Sequence, residues 1–222
     1  MQKNKVRTIS IIIFISLVLG GSPSDVSAIQ LAAISPDLGA AESYSVLAGS
    51  IVTNTGPTTI SGDLGISPGI GEPPHYSGFP PGVVGPPGEI HDADEHAAAA
   101  QAASTAAFGF LDQSCDTTYP GVQDLSLVSP LEPGVYCADA FLLTGNLELS
   151  GSGVWIFKSA ATLTTSAGSS VTGGDPCNVW WRLVSSGTLG TNTAFIGNIL
   201  ALTDINLQTG ASLDGRALVQ TG

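Results

Sequence analysis

The chain has 222 residues, with 18 acidic and 6 basic side chains and a formal net charge of −12 at pH 7. This balance argues against nucleic acid and anionic membranes as partners, because both attract clustered lysine and arginine. Only 11% of the residues are charged, whereas folded domains usually have about 25%. A mean hydropathy of +0.31 excludes a disordered chain. The composition therefore predicts a folded protein whose surface is polar but nearly uncharged.

The first 28 residues have the three parts of a secretory signal peptide. A basic start with Lys3, Lys5 and Arg7 is followed by an apolar stretch from Ile9 to Leu19 and by the small-residue motif Val-Ser-Ala at 26–28. The apolar stretch is too short to span a bilayer, although an uncleaved anchor is the alternative. We therefore expect a signal peptide at 1–28 and one exported domain at 29–222, which is released or retained at the cell surface and has no membrane partner after cleavage.

The next three segments predict strands, a cap and one helix. Short runs of Val, Ile and Thr between residues 38 and 68 are punctuated by Gly and Pro, as in strands joined by turns. The proline-rich residues 69–88 exclude a central strand or helix and predict an irregular cap. Residues 89–113 are rich in alanine and predict a helix that lies flat against a sheet, with acidic residues in its first turns and Asp92 near its N-cap.

Beyond residue 120 the chain again predicts strands. Four segments can be overlaid by placing Leu149, Leu163, Leu189 and Leu207 in one column, although their separations are irregular. Irregular rungs with a common core leucine favour a β-solenoid. A β-sandwich would give a similar pattern of strands and remains the alternative.

Hydroxyl and amide residues recur at two positions of this overlay. Ser or Thr stands four residues before three of the leucines, and Thr or Asn stands just before the same leucines. If the rungs stack, these side chains form columns with a repeat of about 4.7 to 4.9 Å. That repeat is close to the spacing of oxygens on ice planes, so the columns could hold water in an ordered array. Thr is also simply a good strand residue, and Ser and Asn are good turn residues, so such columns occur without this function.

Several segments resemble the secreted microbial ice-binding (antifreeze) protein family. These are "SGFPPG", "PLEPGVYC" and the long block "CNVWWRLVSSGTLGTNTAFIGNILALTDINLQTGASLDGRALVQTG", and the resemblance runs from about Leu38 to Gly222. It implies a right-handed, discontinuous β-solenoid of triangular cross-section with a long α-helix packed alongside and a cap. It also implies a monomeric, non-enzymatic, extracellular protein of cold adaptation that needs no cofactor. Its partner would be the ice crystal surface, with thermal hysteresis and inhibition of ice recrystallisation as the outcome.

The resemblance also implies which residues contact ice. The Thr/Ser, small, any, Thr/Asn motif falls on residues 159–162, 185–188 and 203–206, and weaker candidates lie outside it. The predicted ice-binding residues are Ser77, Thr144, Ser159, Thr162, Ser185, Thr188, Thr203, Asn206 and Thr221. Glu148, Ser186 and Asp204 depart from the motif. The family continues past "QTG" with a closing strand, so we expect a truncated C-terminal rung.

Three cysteines in an exported chain predict one disulfide and one free thiol. A Cys115–Cys137 bond is preferred because it would clip a loop, and Cys137–Cys177 is the alternative. The spacings do not suit zinc.

The cluster "HDADEH" at 91–96 resembles a metal or acid–base site. Its acids are better explained as charges in the first turns of the helix, so we predict no metal site. His75 is expected to be solvated.

Two other functions use the same kind of scaffold. A cell-surface adhesin or glycan-binding solenoid is the main alternative, and a polysaccharide lyase or hydrolase is the next. An enzyme would need grouped carboxylates, which do not recur in the rungs. Trp155, Trp180 and Trp181 lie in apolar runs and are predicted to pack in the core rather than on sugars. No catalytic residue is predicted.

Overall fold

The computed structural model describes residues 32–222, so the predicted signal peptide lies outside the described residues. In this part of the chain every strand pairing is parallel. No helix among these residues is both long and apolar enough to cross a bilayer.

The described residues form one α-helix, 22 strands and three 3-10 turns, numbered here in chain order. The helix is α1 (Glu95–Phe110), and the 3-10 turns are Gly39–Ala41, Leu125–Leu127 and Pro176–Asn178. The strands before the helix are β1 (Tyr44–Ala48), β2 (Val52–Thr53), β3 (Thr59–Ile60), β4 (Asp63–Ile66), β5 (Tyr76–Ser77), β6 (Val83–Val84) and β7 (Ile90–Asp92). Those after it are β8 (Thr117–Thr118), β9 (Val122–Asp124), β10 (Gly134–Ala138), β11 (Ala140–Leu143), β12 (Asn146–Leu149), β13 (Trp155–Ser159), β14 (Leu163–Thr165), β15 (Ser170–Gly173), β16 (Val179–Leu183), β17 (Gly187–Leu189), β18 (Ala194–Ile196), β19 (Asn198–Ala201), β20 (Ile205–Leu207), β21 (Ser212–Asp214) and β22 (Ala217–Val219).

Three parallel sheets surround one core. Sheet 1 has the order β7-β4-β1-β22-β19-β16-β13-β10-β8, sheet 2 the order β20-β17-β14-β11-β9, and sheet 3 the order β12-β15-β18-β21. Successive strands such as β13, β14 and β15 enter sheets 1, 2 and 3 in turn, so each rung contributes one strand to each side of the molecule. The prediction of a β-solenoid is confirmed, and the sandwich alternative is wrong.

Stacked aromatic rings fill the space between the sheets. Tyr136, Phe157 and Trp181 are in register on β10, β13 and β16, and the ring centroids of Phe157 and Trp181 are 4.1 Å apart. Trp155 and Trp181 face this interior, whereas Trp180 faces the helix, and all three are buried. The prediction that the tryptophans pack in the core is confirmed. Such a stack fixes the distance between rungs, because each ring rests on the next.

Helix α1 packs flat on the outer side of sheet 1, as predicted. Its buried residues recur every three or four positions and include Ala97, Ala100, Ala107 and Phe108, which spreads one apolar stripe along the helix. Alanine lets the helix axis lie close to the sheet because its side chain is a single methyl group. The N-cap is Asp94, which accepts a hydrogen bond of 2.8 Å from the Ala97 amide.

The helix is shorter than the predicted range of 89–113. Residues 90–92 form β7 instead, since their backbone pairs with β4 at the edge of sheet 1. Asp92 therefore lies in β7 and not at the N-cap. The turn between β7 and α1 requires a positive φ of 56° at Ala93.

The proline-rich segment 69–88 is largely irregular, but it contains β5 and β6. These two-residue strands pair with β2 and β3, which is compatible with proline because the prolines lie outside the paired residues. The prediction that His75 is solvated is wrong, because His75 is only 6% exposed. Its Nδ1 lies 2.7 Å from Asp92 Oδ1, so the histidine ties this segment to β7.

The first strand of the solenoid joins the last. β1 pairs with β22, and Leu47 lies opposite Leu218, so the rungs that precede α1 stack on the end of the rungs that follow it. The fold is therefore discontinuous along the chain. The disulfide joins Cys115 to Cys137, which confirms the preferred pairing, and Cys177 is free and exposed.

Candidate functional site

Two of the three outer surfaces of the solenoid are open. The outer side of sheet 1 is covered by α1 and by the segment that precedes β1, with Val135, Ile156, Trp180 and Leu200 buried beneath them. The outer surfaces of sheet 2 and sheet 3, called here face 2 and face 3, carry the exposed strand residues. A flat functional surface must therefore be sought on face 2 or face 3.

Face 2 carries a column of polar, uncharged side chains. Thr164, Thr188 and Asn206 lie opposite one another on β14, β17 and β20. Adjacent parallel strands are about 4.8 Å apart, so the three side chains repeat at that interval. On each strand the residues before and after them point inward, with Leu163, Thr165 and Leu189 buried, so the column itself points to solvent.

A second column runs beside the first, two residues earlier on each rung. It contains Thr162, Ser186 and Asp204, because Leu163, Gly187 and Ile205 are the next residues and are in register. Two residues along a strand span roughly 6.6 Å. Face 2 thus presents a rectangular grid of short polar side chains over three rungs.

The corner between sheets 1 and 2 extends this grid. Backbone hydrogen bonds continue around the corner, where the Thr203 amide donates to the Ser185 carbonyl at 3.1 Å. The Thr221 amide donates to the Leu202 carbonyl at 3.0 Å, and the Gly222 carbonyl accepts from Ser50 at 2.8 Å. Ser185, Thr203 and Thr221 therefore stack in one row along the border of face 2.

The strands β2 and β5 lie on the same side of the solenoid. β2 follows Ser50 just as β20 follows Thr203, and both residues belong to the same row of corner hydrogen bonds. On β5, Ser77 is exposed and lies opposite the exposed Thr53 of β2. No pairing among the described residues joins β2 to β20, so this two-stranded part is separate from the grid.

Ser159 does not lie on the surface, and its assignment to the ice-contacting set must be corrected. It is 1% exposed at the end of β13 in sheet 1, opposite Leu183. Its Oγ donates to the Thr162 carbonyl at 2.9 Å and accepts from the Ala161 amide at 3.1 Å. The hydroxyl closes a corner from the inside and is not available to a ligand.

The cause is a two-residue error in the leucine overlay. Leu163 lies opposite Gly187 rather than Leu189, and Leu149 lies on sheet 3. Only Leu189 and Leu207 are true partners. Because side chains in a strand alternate with a period of two, an offset of two residues keeps every core residue inside, and the sequence pattern cannot reveal it.

Thr144 lies at the border between faces 2 and 3, and its hydroxyl is already engaged. It donates to Asp124 Oδ2 at 2.5 Å and lies 3.2 Å from the Ser126 hydroxyl. Burial raises the pKa of Asp124, but hydrogen bonds from Thr144 and Ser126 outweigh it, so the pKa of this carboxyl is below its usual value. The charge of Asp124 is therefore held at the end of face 2.

Sequence reasoning missed Thr164, Ser186 and Thr53. Thr164 is exposed between two buried residues of β14, which is the alternation expected of a strand with one open side. Ser186 departs from the predicted Thr/Ser, small, any, Thr/Asn motif, yet it lies beside Thr162 in the grid. The alternation of buried and exposed residues indicates that Thr164 points outward. Assigning each threonine to a column also requires the register between rungs, which the sequence does not provide.

No basic side chain of the described chain lies on either open face. Lys158 donates to the Gln113 carbonyl at 2.6 Å and pairs with Asp112, which lowers the pKa of that carboxyl. Arg182 donates to the Phe108 carbonyl, and Arg216 donates to the Glu42 carbonyl. All three cations thus anchor segments that pack on the outer side of sheet 1.

Face 3 is less uniform than face 2. One outward column begins at Asn146 and ends at Ser212, and the other contains Thr172 together with the carboxylates of Glu148 and Asp214. Carboxylates bind water strongly and disturb a regular hydration layer. Face 2 has one carboxylate in its grid, Asp204 at the edge strand β20, whereas face 3 has two in one column, so face 2 is the better candidate for a surface that organises water.

The fold and face 2 together define a class of protein, a three-sided β-solenoid with one side covered by a helix and one open side of short, mostly uncharged polar side chains. The profile of a family described as Ice-binding-like matches residues 46–222. This chain belongs to that family.

Curated relatives and solved structures agree with this assignment. An ice-binding protein of Nostoc sp. (strain HG1) is 43% identical over 193 residues, which cover 83% of this chain and 69% of the relative. An ice-binding protein of Flavobacterium frigoris (strain PS1) is 30% identical over 202 residues, covering 83% of this chain and 72% of the relative. The crystal structure of an ice-binding protein from an Antarctic biological consortium matches with a TM-score of 0.78 and 34% identity, covering 87% of this chain and 88% of that one.

Proposed function

We propose that this protein is exported and binds ice through face 2, giving thermal hysteresis and inhibiting ice recrystallisation. The observation that carries the proposal is the column of Thr164, Thr188 and Asn206, which are in register on three adjacent rungs. The Thr162 and Ser186 side chains beside it add short, uncharged groups in a second column, which ends at the carboxylate of Asp204. Export is supported by the predicted signal peptide and by the Cys115–Cys137 disulfide, since disulfides persist in oxidising compartments.

The action of such a surface is collective. Each hydroxyl or amide contributes little, but side chains held on one backbone lattice lose little conformational entropy when they contact an ordered layer of water. Water fixed between the columns would match the neighbouring ice, so the protein adsorbs to the crystal. Growth then continues only between adsorbed molecules, where the ice front becomes curved, and the freezing temperature falls.

We propose that the protein acts as a monomer and needs no cofactor, because one chain supplies the whole grid. An excess of acidic residues makes nucleic acid and anionic membranes poor partners. Catalysis is not part of the proposal. Among residues 32–222, no three His, Cys, Asp or Glu side chains form a group suited to a metal ion.

The test is a pair of matched substitutions. Thr188→Tyr raises a ring above the centre of face 2 and holds neighbouring groups away from ice. A loss of ~1.4 kcal/mol weakens adsorption about tenfold, so thermal hysteresis at equal protein concentration should fall sharply. Thr172→Tyr makes the same change at an exposed strand position on face 3 and should leave hysteresis unchanged. Melting temperatures of both variants are measured to exclude unfolding.

Two results would contradict the proposal. One is a purified wild-type protein that neither shapes nor slows a growing ice crystal. The other is an equal loss of hysteresis in the two variants, which would remove face 2 as the ice-binding surface.

A further inference from the structure

The column on face 2 continues beyond its polar part with an apolar residue. Leu142 of β11 lies opposite Thr164, in line with Thr188 and Asn206, and is 37% exposed. The neighbours of Leu142 on the same strand, Phe141 and Leu143, are fully buried, so Leu142 points outward as the column does. It thus occupies a grid position without carrying a hydroxyl or amide.

The rung beyond Leu142 cannot extend the grid either. Asp124 lies opposite Leu142 on β9, and its carboxylate accepts hydrogen bonds from the Ser126 amide at 3.0 Å and from the Thr144 hydroxyl. These contacts direct its charge toward the border with face 3. Val122, two residues earlier on β9, is exposed and apolar.

We infer that Leu142 sets the boundary of the ice-contacting grid and limits the affinity of the protein for ice. This inference rests on the proposed function of face 2. A leucine side chain extends farther from the backbone than a threonine, and it has no group that can hold a water in the column. The polar surface therefore ends at Thr164, and only three rungs contribute to it.

The boundary is set by side chains and not by the backbone: Leu142 ends the first column, and Ala140 lies at the end of the second column beside Thr162. β11 pairs with β14 over three residues in unbroken register, so the strand itself already lies in the plane of the grid. Threonine has a high preference for strands, and Leu142 is 37% exposed, so its replacement removes only part of the packing of a core leucine. Leu142→Thr should therefore place a fourth polar side chain, the third hydroxyl, in the column at the same interval.

Leu142→Thr tests the inference as a gain of activity, which a folding defect cannot mimic. One added hydroxyl contact has the net value of a single hydrogen bond, so the concentration needed to inhibit recrystallisation should fall about threefold. Thermal hysteresis at equal concentration should rise. Leu142→Ala removes the bulk without adding a hydroxyl and should leave both quantities near the wild-type values.

The control is Val83→Thr, which converts an exposed aliphatic residue to threonine on β6, away from the grid. It should leave activity unchanged. Unchanged or lower activity in Leu142→Thr would overturn the inference, as would an equal rise in Leu142→Ala, which would mean that bulk alone is limiting. If the wild-type protein does not bind ice, the proposed function fails first, so the two failures are distinguishable.

Discussion

Ser159 and Ser185 illustrate how one residue type can serve two purposes in this molecule. Each stands four residues before a core leucine, yet Ser159 is buried in sheet 1 and Ser185 lies on the border of face 2. The position equivalent to Ser185 in the preceding rung is Ala161, whose carbonyl accepts from the Ser185 amide at 2.8 Å. The hydroxyl of Ser159 forms hydrogen bonds with backbone groups inside the corner, whereas that of Ser185 remains free for a ligand.

Replacing Ser159 with alanine should destabilise the fold without reducing ice binding. The substitution leaves the buried Ala161 amide and Thr162 carbonyl with fewer partners, which costs about 1–3 kcal/mol. Urea unfolding should report this loss, while the hysteresis of the folded protein at freezing temperatures stays the same. Ser185→Ala is the matched control and should change stability by less than about 0.5 kcal/mol. A lower hysteresis in Ser159→Ala at unchanged stability would return this residue to the ice-binding set.

At the level of elements, the position of the cap against β7 depends on a buried contact between the His75 ring and the Asp92 carboxylate. The hydrogen bond that His75 donates to the Asp92 carboxylate raises the pKa of His75, although burial of the ring acts in the opposite direction, and the Gly71 carbonyl and Glu72 add to the increase. Asp92 also accepts from the His75 amide at 3.1 Å. The imidazolium form is therefore the one that fits this site.

The pH dependence of stability follows from the sign of that shift. Because the pKa of His75 is higher in the folded protein, the contact stabilises the fold fully below the unfolded pKa of about 6.5 and is lost as pH rises through the folded pKa. The melting temperature of the wild-type protein should therefore fall as the pH rises above about 6.5. His75→Gln should reduce this fall. Parallel pH profiles for the two proteins would show that the pair does not contribute.

Much of the element order could be predicted from the sequence, and the register could not. Alanine content and acidic first turns indicated α1, and proline indicated an irregular cap, because these residues act through local backbone preferences. The predicted start of the helix is too early, because residues 90–92 pair with β4, and this pairing outweighs their preference for a helical backbone. The burial of His75 could not be predicted, because its partner Asp92 is 17 residues away in sequence and no local pattern identifies it.

The same limit applies to the candidate site. The predicted residues Thr188, Thr203 and Asn206 lie together at face 2 because β17 and β20 are in the register that the overlay assumes. Thr164 is absent from the predicted set because the overlay shifts its rung, the one that contains β14, by two residues. A shift of two residues leaves the alternation of buried and exposed side chains unchanged, so the sequence pattern does not reveal it.

For the whole molecule, the pairing of β1 with β22 makes the two ends of the described chain interdependent. Leu218 lies between Leu47 and Leu200 in sheet 1 and is fully buried beneath α1. The rungs formed early in the sequence can complete their sheet only when the last strand is in place. Folding thus requires contacts between residues far apart in sequence, which slows it.

Leu218→Ala should weaken this junction. Removing a buried leucine side chain costs about 2–5 kcal/mol, depending on how well the cavity collapses. Hydrogen exchange should show that amides of β1 and β4 lose protection more than amides of β13 and β16. Leu207→Ala, at a position that is 45% exposed, is the control and should leave the exchange pattern unaltered. Uniform loss of protection would contradict a local junction.

The free Cys177 lies in the 3-10 turn between β15 of sheet 3 and β16 of sheet 1. In a three-sided solenoid this edge is opposite face 2, so a maleimide dye or a bead coupled to the sulfur would project away from the grid. A fluorescent conjugate prepared this way could be imaged directly on a single crystal hemisphere of ice with its adsorbing side unobstructed.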